Sequence, residues 1–168
     1  MSALRADDPG VRALLRHALA TLAYRAGKTV RGTPDGYADF IASPDSKSPR
    51  AILAHMGDLL DWTLRMARDG ERKWTEAAPR AWEAEQARFF ASLRALDDHF
   101  ASELPIRFDP AVMFQGGIAD ALTHTGQLAM LRRLSGHKMK GENYSRAEIV
   151  SGRVGSDQAP PKPEHEFD

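Results

Sequence analysis

Four stretches of this chain repeat apolar residues at helical spacing, with Pro, Gly, Ser and Asp marking their ends. That pattern admits little besides packed helices. The first stretch spans about 11–30, with Val11, Leu15, Ala18 and Leu22 on one stripe. A long connection follows, RGTPDGYADFIASPDSKSP, whose Gly, Pro, Asp and Ser content reads as loop. Ser48 and Pro49 then form an N-cap and first-turn pair, opening a helix over 49–69 that Gly70 closes. Its expected buried face holds Ile52, Met56, Leu59, Leu60 and Leu64. A third helix is expected over 79–103, with Trp82, Phe89, Leu93, Leu96 and Phe100 as core. Asp109 and Pro110 repeat the cap pattern before a fourth helix over 110–135, and Gly136 supplies its C-terminal stop. Residues 137–168 read as an extended tail, partly ordered over the helices and frayed at its Pro-rich end, with no strand pair expected. The pattern predicts an all-α four-helix bundle forming one domain over 1–168.

Composition narrows the function. The chain has 168 residues, with Lys plus Arg equal to Asp plus Glu at 23 each. A neutral balance argues against nucleic-acid binding, which needs a basic excess to displace counterions. The sequence contains no cysteine, so disulfides, thiolate zinc sites and a cysteine nucleophile are excluded, and any thiol chemistry needs a thiol from outside. No apolar run approaches the roughly 18 residues of a membrane span, and the polar opening MSALRADDPG lacks the form of a secretory signal. The expected location is the cytoplasm.

The residues that carry chemistry lie on helices two and four. His55 follows Ile52 by three residues and precedes Leu59 by four, on the apolar stripe of helix two. Asp120 and His124 are four apart, so their side chains stand one above the other on helix four. Gly116 and Gly117, one turn earlier, leave room for another element to approach closely. Two imidazoles and a carboxylate from facing helices make a three-ligand set that leaves a divalent metal an open position. The same residues also admit a plainer reading, in which Asp120 and His124 simply pair and His55 is a hydrogen-bonded core histidine. Asp58, one turn after His55, is either a carboxylate that orients the imidazole or a solvated surface acid. Gln127 either hydrogen-bonds near the ligands or serves helix packing. His17, His99, His137 and His165 are expected on helix surfaces or in the tail, and Arg132 and Arg133 at a helix end where cations favour the dipole. Glu142, Asn143, Tyr144 and Arg146 either cover the site or clip the tail to the bundle.

The segments SPRAILAHMGDLLDWTLRMARDG, ADALTHTGQLAMLRRLSG and KGENYSRAEIVSGRVGSDQ resemble the DinB-like superfamily of metal-dependent enzymes. The resemblance covers about 48–158, and its most specific pieces are the helix-two His and the His-x-Gly-Gln of residues 124–127. It implies a four-helix bundle, a homodimer, and a divalent metal, zinc or nickel, held by His55, Asp120 and His124. The family pattern has His where this chain has Asp120, and a carboxylate there widens the metal choice to manganese or iron. The resemblance further implies a thiol S-transferase or isomerase that ionises a low-molecular-weight thiol and adds it to an electrophilic substrate. A metal-dependent hydrolase is the nearest variant, and a non-catalytic, metal-stabilised binding or dimerisation module is the alternative from another class.

Overall fold

The computed structural model describes residues 5–6 and 8–168; residues 1–4 and 7, part of the polar opening, lie outside the described residues. Among the described residues the protein is all-α apart from one two-residue strand pair. Helix α1 (Pro9–Val30) starts earlier than the apolar pattern implies, because Asp8 caps it by accepting the Gly10 amide at 2.7 Å. Helix α2 (Pro49–Asp69) has the expected ends, with Ser48 accepting the Ala51 amide and Gly70 at φ 73°. That left-handed turn is one a side chain would strain.

Helix α3 (Trp82–Ala101) is shorter at both ends than the expected 79–103. Glu85 reaches back to accept the Arg80 amide at 2.7 Å, and the helix begins two residues after Arg80. At the other end Arg12 of α1 donates to the carbonyls of Ser102 and Leu104, at 3.1 and 2.6 Å. The fourth helical segment is not uniform. A short α4 (Pro110–Met113) passes through a π-helical turn, Phe114–Ile118, into α5 (Ala119–Leu134). The backbone stays right-handed at both junctions, so the rod continues while its phase shifts by one residue.

Helices α1 and α2 each pack along α3 and α5. Leu19, Met56, Leu60, Phe89, Phe100 and Leu128 belong to the shared core between them. The long first connection is anchored: Tyr37 is buried, donates to the Leu128 carbonyl at 2.8 Å, and meets the Trp82 ring edge-on. Arg132 does more than complement a dipole. Its guanidinium donates to the carbonyls of Thr29, Arg31 and Gly32 and so ties α5 to the end of α1. His99 is buried at the end of α3, not exposed as expected, and its Nε2 has no hydrogen-bond partner among the described residues.

The tail also departs from expectation. Its Pro-rich end folds back, so that β1 (Gly141–Glu142) pairs antiparallel with β2 (Glu166–Phe167). Glu142 is buried against α1, accepting from Tyr24 Oη at 2.6 Å and Lys28 Nζ at 3.0 Å. The tail is therefore a clip on α1. Among the described residues, no helix is long and apolar enough to cross a membrane.

Candidate metal centre

The core stripe of α5 and its polar stripe lie side by side. Ala121, Thr125 and Leu128 face the interior, whereas Asp120, His124 and Gln127 each sit one residue earlier, about 100° round the helix. The polar trio thus lies at the rim of the core and not inside it. His55 is likewise half-buried on α2, at the edge of the stripe formed by Ile52, Met56 and Leu59. The π turn packs directly on α2. Gly117 packs so closely on α2 that a Cβ would stand 2.0 Å from Thr63 Oγ1. Gly116 meets the Trp62 ring.

His55, Asp120 and His124 each offer a ligand atom, and these atoms lie within 4.8 Å of one another. One oxygen of Asp120 is 3.5 Å from His124 Nε2, and the other is 4.0 Å from His55 Nε2. Donors around a tetrahedral divalent ion stand about 3.4 Å apart, given metal–ligand bonds near 2.1 Å. The spacing is therefore close to that of a ligand set, with a modest closure needed at His55.

Hydrogen bonding points the same way. Gln127 Oε1 lies 2.8 Å from His124 Nδ1, and a proton on Nδ1 there would leave Nε2, which faces Asp120, free to ligate. Burial, and then the neighbouring His124, push the His55 pKa below its ordinary value; Lys47 adds to this, while Asp120 and Asp58 oppose it. The two imidazoles and the carboxylate thus converge with their ligand atoms close together, an arrangement a cation between them would satisfy.

Two further walls complete the site. The segment linking α2 to α3 crosses above it, and there the Trp74 ring sits 5.5 Å from the His55 ring and 5.7 Å, edge-on, from Trp62. Asp58 neither orients His55 by hydrogen bond nor faces solvent. It is buried, pairs with Arg88 of α3, and accepts the Ala77 amide at 3.2 Å. Asp58 therefore holds the segment that carries Trp74. Arg88 also reaches Asp61 at 3.0 Å. On the opposite side opens a cavity of about 500 Å³, lined by Asp45, Ser46 and Lys47 of the first connection and by His55, His124 and Gln127. Ile52, Met130 and Leu131 form its apolar wall. No residue of the tail lines this cavity, so Glu142, Asn143, Tyr144 and Arg146 do not cover it.

Trp74 and Lys47 are the participants that sequence reasoning did not identify. Trp74 left one signal, a lone indole inside the charged stretch ERKWTE. Lys47 left none, being one lysine in a polar loop. Comparison with protein-family models, with curated proteins and with solved structures gave no match.

Proposed function

We propose that His55, Asp120 and His124 bind one divalent metal ion, zinc or nickel, and that the chain is a DinB-like four-helix-bundle enzyme. The observation that carries this is the convergence of two imidazole nitrogens on the two oxygens of one carboxylate. Nitrogen, nitrogen and oxygen donors suit zinc, and three protein ligands leave an exchangeable position.

When bound, the ion would lower the pKa of a small thiol or a water at that position and make it a nucleophile at neutral pH. The chain's own groups have definable tasks. Gln127 fixes the His124 ring and its tautomer. Trp74 shields one face of His55 from water. The cavity beside His55 and His124 admits the electrophile to the opposite side. With no cysteine in the chain, the sulfur comes from the cosubstrate. We therefore read the reaction as addition of an exogenous thiol to an electrophilic carbon.

Elemental analysis of the purified protein beside His124→Ala tests the site. The expected result is about one zinc or nickel ion per chain in the wild type, lost in the variant. Equal, sub-stoichiometric metal in both proteins after incubation with zinc would overturn it. Thiol consumption with a chloronitrobenzene, seen in the metal-loaded wild type and absent in His124→Ala, tests the reaction.

A further inference from the structure

Resting on that metal reading, we propose that the cavity beside the trio takes a small monocarboxylic acid. Its carboxylate sits on Lys47 and its apolar body lies against Ile52, Leu131 and Met130. The cavity, at about 500 Å³, is in the range that holds small organic ligands. Its lining is mixed in chemistry. Ile52 and Leu131 are buried apolar side chains, and Met130 is 56% exposed, an unbranched thioether able to close over a hydrocarbon chain. Lys47 of the first connection also lines the cavity.

The backbone on either side of Lys47 is fixed by its neighbours, while the side chain itself is exposed. Ser46 Oγ accepts the Ala42 and Ser43 amides and donates to the Ser43 carbonyl, which closes the turn before it. Ser48 caps α2 directly after it. Lys47 makes no hydrogen bond or ion pair of its own among the described residues. Among the side chains that line the cavity Lys47 supplies the cation and Asp45 a carboxylate. An anionic head between Lys47 and the imidazoles satisfies that cation, and Asp45 at the rim disfavours a second carboxylate.

The test is calorimetric titration of the zinc-loaded protein with hexanoate, hexanol and adipate, in the wild type and in Lys47→Gln, with zinc content measured on the same samples. Hexanoate is expected to bind about fivefold more tightly than hexanol, the size of effect an exposed ion pair can supply. The preference should shrink as salt is raised. In Lys47→Gln it is expected to vanish while zinc content stays at the wild-type level. Equal binding of hexanoate and hexanol, or tighter binding of adipate, overturns the proposal and leaves the metal site standing. A hexanoate preference that survives in Lys47→Gln also overturns it, by assigning the carboxylate to the metal. Failure of both proteins to retain zinc defeats the metal reading itself, and this inference with it.

Discussion

Gly117 and Thr63 touch where the π turn crosses α2, with only 2.0 Å between Thr63 Oγ1 and the place a Cβ on Gly117 would occupy. The hydroxyl is already committed, since Thr63 Oγ1 donates to the Leu59 carbonyl at 2.7 Å within its own helix. The contact therefore cannot relax by a simple rotamer change. Gly117→Ala is expected to destabilise the protein by about 1–3 kcal/mol through overpacking. It should also widen the gap between His55 and Asp120. Denaturant melts and zinc titrations check both effects, and Thr63→Ala in the same chain should restore part of each.

Gln127 acts on the metal through His124. Outer partners of ligating histidines typically contribute tenfold to hundredfold in affinity. Gln127→Leu is expected to weaken zinc binding about tenfold, in competition with a chromophoric chelator, without a shift in melting temperature. Gln127→Glu retains the acceptor and should keep the affinity.

Asp58 links Arg88 of α3 to the segment bearing Trp74. Removing it leaves a buried guanidinium with Asp61 and a longer contact to Glu85. Asp58→Ala is expected to cost about 3 kcal/mol, the lower part of the range for a broken buried ion pair. The freed Ala77 amide should loosen the segment and shift tryptophan emission to the red. Trp74→Phe in the Asp58→Ala background should abolish that red shift while leaving the loss of stability.

His99 gives the stability a pH dependence. Burial drives its pKa below the ordinary histidine value, Arg12 and Arg68 push the same way, and the Pro105 and Ala67 carbonyls oppose them. An unfolded histidine takes up its proton near pH 6.5, whereas folded His99 resists until lower pH. In that window the unfolded chain binds more protons, so acidification destabilises the fold, and the contribution is complete above about pH 6.5. Thermal melts from pH 7.5 downward should show the midpoint falling below pH 6.5. His99→Gln should fall less steeply, its difference from the wild type isolating this residue from His55.

The local grammar of the chain was readable without coordinates. Ser48–Pro49 and Gly70 bound α2, Asp109–Pro110 opens the last helical segment, and the four-residue spacing of Asp120 and His124 stacks them on one face. Each of these depends on neighbours within one or two turns, through a cap hydrogen bond or a helical repeat. The trio itself was also named from the residues, because donor types on apolar-flanked helix faces leave few other candidates.

What tertiary structure decided are the long-range contacts. The π turn packs Gly117 against Thr63, and no rule of local spacing forecasts the register shift it introduces. Asp58 was ambiguous until α3 supplied Arg88, thirty positions away, to take its charge. His99 is buried because the 102–109 connection folds over the end of α3 near the Pro105 carbonyl, and the tail ends as a strand pair because Glu142 finds Tyr24 and Lys28 on α1. A helix sequence specifies which of its faces is apolar. Which neighbour meets each polar edge is chosen only when the whole core is packed.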